Sequence, residues 1–170
     1  MSSSKLSPVP VVRGHIDTLR DDRTEKFRRL DFALFYGLPA IPAGLAIWRQ
    51  FHATDVGAFL GGLSVFGALL FGLVVFVFQL RITAASDPRI PPGSRVIRLL
   101  DALFKNVNYA VLVGLTTTSL GVLALWLGDS KVGAPVWVSV ALVYFVCHLG
   151  LTILMCVKRV DAAYRQLTSV

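Results

Sequence analysis

The chain has 170 residues, 55% of them hydrophobic and 16% charged, with a mean hydropathy of +0.67 and a formal net charge of +7. That composition excludes the disordered, fibrous and ordinary water-soluble classes and describes a chain built for a bilayer. After its apolar stretches and the connectors between them are counted, nothing is left for a separate folded catalytic domain beyond ~30 residues at the amino end.

Residues 1–30 are polar and basic. They contain no apolar run of the kind a secretory signal needs, so the amino end is expected to be retained uncleaved. Residues 1–10, with Ser2, Ser3, Ser4 and two prolines, read as a loose end. Beyond them, Val12, Ile16, Leu19, Phe27 and Leu30 fall near one helical stripe that Arg23 interrupts. A helix of this kind is marginal alone, so its stripe should pack on another cytoplasmic helix, such as the Val160, Tyr164 and Leu167 face of the tail.

Four apolar runs follow: Leu34–Trp48, Gly57–Leu80, Tyr109–Leu127 and Val136–Val157. Each approaches the roughly 20 helical residues that cross a hydrocarbon core of ~30 Å, the first by borrowing Phe32, Ala33 and the residues just past Trp48. The expected fold is therefore an all-α integral membrane protein. It has four transmembrane helices, at about 32–50, 57–80, 108–127 and 136–157, and amphipathic cytoplasmic helical extensions. Residues 81–107 form its central cytoplasmic loop and 158–170 its tail.

The first span holds Gly37, Pro39, Pro42 and Gly44. An interior proline removes a backbone hydrogen bond and clashes with the preceding turn, so the span should be kinked or partly unwound, with Pro39 and Pro42 as hinge candidates or as makers of a static kink. The second span carries small residues at helical spacing: Gly57, Gly61, Ser64, Ala68 and Gly72. Lipid tails do not drive helices together, so such steps encode close packing, either inside the monomer or between copies.

Within the central loop, Pro91, Pro92 and Gly93 precede a Ser94 N-cap. Val96, Leu99, Leu100, Leu103 and Val107 then recur opposite Arg98, Asp101 and Lys105. This basic amphipathic helix either lies along the inner leaflet or runs unbroken into the third span, about 34 residues and roughly 50 Å in all.

The third span contains Thr116, Thr117, Thr118 and Ser119 in succession, with Asn106 and Asn108 at its mouth. Hydroxyls can bond to their own helix, but adjacent ones cannot share one interface, which makes Thr116, Thr117 and Thr118 pore candidates. His148 is the ionisable residue at mid-depth in the fourth span, with Tyr144 one turn earlier on its face. It reads either as a gate or as hydrogen-bonding glue to the hydroxyls of span three. Cys147 and Cys156 lie about 13 Å apart along one helix, too far for a disulfide.

All but two of the 17 Lys and Arg residues fall before span one, between spans two and three, or after span four; the exceptions are Arg49 and Lys131. The positive-inside rule therefore places both termini and the central loop in the cytoplasm. Trp48, Trp126 and Trp137 then stand at the outer membrane boundary. Asp55 and Asp129 cancel the two outer cations, so the whole net charge faces the cytoplasm. It serves orientation and anionic lipid, or it receives an anionic cytosolic ligand, for which Arg95, Arg98 and Lys105 are the candidates.

No nucleophile elbow, P-loop, HExxH or dinucleotide fingerprint occurs, nor any zinc-ligand spacing. The chain is read as no enzyme, with no cofactor and no metal. The order of a charged amino segment running into Leu30-Asp31, a Tyr36-Gly37-Leu38-Pro39 first span, a long second span from Leu69 to Leu80, and Leu99-Leu100 leading to Asn106-Val107-Asn108-Tyr109 resembles the small four-span membrane effectors of bacterial anti-phage defence systems. The resemblance covers most of residues 15–120 and carries no ligand motif. It implies a homo-oligomeric inner-membrane channel or membrane-perturbing effector whose cytoplasmic helices sense a nucleotide or nucleic acid. The competing reading is a non-conducting scaffold that binds a partner membrane protein or lipid through the span-two face.

Overall fold

The computed structural model describes residues 7–18 and 29–167. Among these the chain is all-helical, with one isolated bridge between Asp129 and Gly133. The order is α1 (Val9–Asp17), α2 (Arg29–Gly37), α3 (Ala40–Trp48), α4 (Val56–Ser86), α5 (Arg95–Leu127) and α6 (Val136–Leu167). Three helices, α4, α5 and α6, are long and apolar enough to cross a membrane.

The first apolar run is two helices, not one rod. α2 stops at Gly37, and Pro39 caps α3 with φ −65° and no N–H to offer the turn before it. Pro42 causes no break, because it lies in the first turn of α3, where backbone N–H groups have no intrahelical acceptor in any case. α3 ends in a Schellman turn: the Phe51 N–H reaches the Ala46 carbonyl and the Gln50 N–H that of Ile47, with Gln50 at φ 50°.

The segment expected as a central loop is largely helical. α4 continues to Ser86 and α5 starts at Arg95, which leaves a connector of 87–94 closed by the Asp87 side chain on the Arg89 N–H at 2.9 Å. Ser94 caps α5 through the Ile97 N–H at 3.4 Å. Of the two courses open to the 94–107 helix, α5 takes the unbroken one.

Two compact units divide the chain: Met1–Arg28, Leu70–Leu112 and Thr152–Val170 form the first, Arg29–Leu69 and Val113–Leu151 the second. The first is built on Val77, Leu103, Val107 and Cys156, and on Ala84, Val96, Ile97 and Leu100. Of the apolar row read from the sequence, Val96, Leu100, Leu103 and Val107 are buried and Leu99 is half-buried. The second unit is built on Val56, Ala124, Ala134, Val138 and Leu142. There the two connectors are bonded to each other: the Ala134 N–H reaches Ala53 O at 2.9 Å, the Ala53 N–H reaches Ser139 Oγ at 2.8 Å, and His52 Nδ1 donates to Ala134 O at 2.9 Å. Gly133, at φ 91°, makes this possible, since a Cβ there would stand 2.8 Å from the Ala53 carbonyl.

Buried positions of α4 repeat every seven residues at Val56, Leu70, Val77 and Ala84, with Leu63 half-buried between them. Phe59, Leu60, Leu73, Val74 and Leu80 are half-buried beside this row, and much of the remaining surface of α4 is open. Only 11% of its most apolar window is buried, against 28% for α5 and for α6. Val65, Leu69, Phe71, Val75 and Phe76 are exposed, as lipid-facing side chains are.

Candidate functional site

In the first unit, α1 seats one residue. His15 is fully buried and stacks on Tyr109 of α5, with ring centroids 3.9 Å apart and planes 5° from parallel. Its Nδ1 lies 2.9 Å from the Asn106 amide, also fully buried. Gly14 brings α1 down on the Lys105 stem, where a Cβ would still fit at 3.6 Å. Thr18 closes the helix, and its carbonyl accepts the Arg159 guanidinium of α6 at 2.5 Å.

The protons in this cluster can be placed in two ways. Thr18 Oγ1 lies 2.7 Å from both the His15 carbonyl and the Asn106 side-chain oxygen, but it has one proton to give. That orientation also leaves the buried Asn106 Nδ2 without an acceptor. Turning the amide over lets Nδ2 donate to Thr18 Oγ1 and to His15 Nδ1 while Thr18 donates to the His15 carbonyl, and it places the imidazole proton on Nε2.

Of the N-terminal stripe, Val12 and Ile16 are half-buried. Val160 and Tyr164 are 44% and 66% exposed, and the buried residue of α1 is a histidine outside the apolar stripe, stacked on α5. Leu19, Arg23 and Phe27 lie outside the described residues, as do the side chains of Leu30 and Leu167.

In the second unit, His148 and Tyr144 stand against the α2 break. His148 is buried, and its Nδ1–H donates to Phe35 O over 3.4 Å; the Tyr144 hydroxyl donates to Tyr36 O over the same distance. Phe35 O is the acceptor that the residue at position 39 would serve in a continuous helix, and proline cannot. Phe35 also sets its ring edge-on to His148 at 4.8 Å, and Tyr36 lies 5.1 Å from it.

The hydroxyl run divides as adjacent helical positions must. Thr117 is buried, Thr116 half-buried, and Thr118 and Ser119 exposed. Thr117, Thr118 and Ser119 each donate to the carbonyl four residues back, at 2.8, 2.9 and 2.9 Å.

Gly57, Gly61, Ser64, Ala68 and Gly72 are all exposed, on the side of α4 turned away from its buried row. A Cβ at Gly57, Gly61 or Gly72 would meet nothing within 4 Å, so no neighbour among the described residues packs closely on these three positions. A close contact between two helices of the unit is Gly121 of α5 on Leu60 of α4. No expectation from the sequence singled it out, although Gly121 lies one turn beyond Thr117 on the same face of α5.

Arg95, Arg98 and Lys105 share one exposed side of α5. Asp101, which interrupts the row, is held by Arg81 of α4 at 2.6 Å, and Arg98 also bonds the Gly93 carbonyl at 2.7 Å. Among the described residues no group of three or more His, Cys, Asp and Glu is placed to hold a metal ion. The chain matches no protein-family model, no curated protein and no solved structure.

Proposed function

We propose that this protein crosses the bacterial inner membrane four times, with both termini cytoplasmic, and acts as a homo-oligomer that forms a channel or perturbs the membrane between its copies. The observation that carries the reading is the outward small face of α4. A glycine in a helix costs about 1 kcal/mol relative to alanine. A Cβ added at Gly57, Gly61 or Gly72 would meet nothing within 4 Å among the described residues. Close approach of a second helix is the use that small-xxx-small spacing serves in lipid.

The broken α2–α3 pair is the remaining crossing, tilted or bent at Leu38–Pro39. Exposed Trp48, Trp126 and Trp137 at helix ends suit a headgroup boundary. Thr118 and Ser119 supply polar groups on an outward side of α5 that an assembly would enclose. The row of Arg95, Arg98 and Lys105, with Asp101 neutralised by Arg81, suits an anionic cytosolic ligand such as a nucleotide or nucleic acid.

A scaffold without conduction has its own support. Thr117, Thr118 and Ser119 are satisfied by their own helix, so they need no water path. Flux separates the two. In liposomes a channel dissipates a potassium diffusion potential, and His148→Ala or Thr117→Val changes the rate. An assembled protein that passes no ions with or without added polynucleotide is the scaffold.

A further inference from the structure

The second unit holds a cleft of about 300 Å³ between the α3–α4 connector, the first turn of α4 and the outer half of α6. Phe51 and Phe59 form one wall, and Leu142, Val143, Val146 and Cys147 form the other. Among the described residues, Thr54 and Cys147 supply its only polar side chains, and a thiol is a weak donor. A water needs about two to four polar partners, so this cleft holds water poorly and suits an apolar ligand.

Its depth says which apolar ligand. Cys147 lies ten residues along α6 from Trp137, about 15 Å inward, which is half of a ~30 Å hydrocarbon core. The cleft thus runs from the headgroup boundary to the bilayer midplane, the depth of one leaflet. Its volume takes about ten groups the size of a water or a methylene, at ~30 Å³ each. A second helix, ~10 Å across, would need on the order of 1,000 Å³ over the same depth. An acyl chain fits and a helix does not.

The mouth is cationic. Arg49 stands two residues from Phe51, so no more than ~7 Å of backbone separates them. Its guanidinium lies over the exposed Trp48 ring at 5.3 Å, and no acid among the described residues pairs with it. Asp55, from the same connector, lines a neighbouring hollow with Asp129 instead. An unpaired guanidinium at headgroup level, beside an apolar cleft, is complementary to a phosphodiester that carries an acyl chain.

We propose that this cleft is a phospholipid site: one acyl chain of an outer-leaflet glycerophospholipid lies between Phe59 and Val143 down to Cys147, and Arg49 holds its phosphate. The proposal rests on the chain spanning a bilayer with Trp137 at the outer boundary, and it needs neither assembly nor conduction.

The test uses the full chain in nanodiscs of a phosphate-free galactolipid, doped with phosphatidylglycerol that carries a diazirine in its acyl chain. After irradiation, crosslinks are mapped by mass spectrometry, with the exposed Val65, Leu69 and Phe76 of α4 as the reference for unselected lipid contact. Labelling at Phe59, Val143, Val146 and Cys147 should exceed the reference at least fivefold. Arg49→Glu, a change at an exposed side chain, should bring it down to the reference level. Val143→Phe, which fills the cleft, should remove it and leave the reference unchanged. A diazirine diacylglycerol, with the same chains and no phosphate, should label cleft and reference alike. Equal labelling of cleft and reference by the phosphatidylglycerol probe overturns the proposal, as does enrichment that survives Arg49→Glu or that the diacylglycerol reproduces. Labelling absent from cleft and reference together refutes the bilayer crossing itself, and the lipid site with it.

Discussion

His148 donates its Nδ1–H to the carbonyl of Phe35, the very acceptor that Pro39 leaves unserved four residues along the chain. An unsatisfied carbonyl in hydrocarbon costs several kcal/mol. A break in an apolar helix therefore needs a donor from elsewhere, and α6 presents two, Tyr144 and His148, spaced one turn apart to serve Tyr36 and Phe35 in the opposite order.

That relationship predicts coupling between positions 39 and 148. His148→Ala should lower stability by about 1–3 kcal/mol, and Tyr144→Phe by about 1 kcal/mol. Pro39→Ala restores the backbone donor, so in that background His148→Ala should cost at least ~0.5 kcal/mol less. Denaturation of the four proteins of the cycle in detergent measures it, and additive costs would show that the histidine does not serve the break.

Gly121 and Leu60 predict a steric cycle. A Cβ at 121 would lie 2.6 Å from Leu60 Cδ2 and 3.2 Å from Cγ, so the whole isobutyl group has to move. Overpacking costs about 1–3 kcal/mol, which outweighs the ~1 kcal/mol that alanine gains over glycine in a helix. Gly121→Ala should destabilise, and Leu60→Ala should relieve most of the loss when the two are combined. A thermal melt of the single and double variants decides.

Gly61→Leu should do the reverse. With nothing within 4 Å of Gly61, leucine fits the monomer, keeps its thermal midpoint and gains helix propensity. Self-association should fall at least tenfold, read as dimer formation against lipid dilution. An unchanged association curve would remove the α4 face from the assembly.

The basic row predicts a salt effect. Arg95→Glu with Arg98→Glu should weaken polynucleotide binding and lower the slope of log affinity against log salt by about 0.7–0.9 for each phosphate no longer neutralised. Arg81→Ala should cost less than ~1 kcal/mol of stability, because its ion pair with Asp101 is one-third to one-half exposed. It should also weaken binding, by releasing Asp101 beside the arginines. Filter binding over a salt series gives both slopes, and a slope unchanged by the double reversal would dismiss the site.

Much of the fold was legible in advance. The α5 row of Val96, Leu100, Leu103 and Val107 could be read because a half-buried helix repeats its apolar residues every three or four positions. The interruption at Pro39 could be read because proline chemistry is local. The heptad of Val56, Leu63, Leu70, Val77 and Ala84 was equally present, but most neighbouring positions in α4 are apolar too, so the repeat does not stand out. His15 had no signal: it lies 91 residues from Asn106, in a segment whose visible pattern was a different stripe.

Length, hydropathy and turn chemistry alone determined that this chain forms long apolar helices and that one of them breaks. Only the tertiary structure decided which faces meet: that α4 turns its glycines outward, that His148 and Tyr144 serve the α2 break, and that α1 is held by an imidazole. The reason is physical. In water, apolar side chains mark the buried face, but lipid is as apolar as leucine, so hydropathy cannot tell a packed face from a solvated one. Shape and hydrogen-bond complementarity between distant residues make that choice.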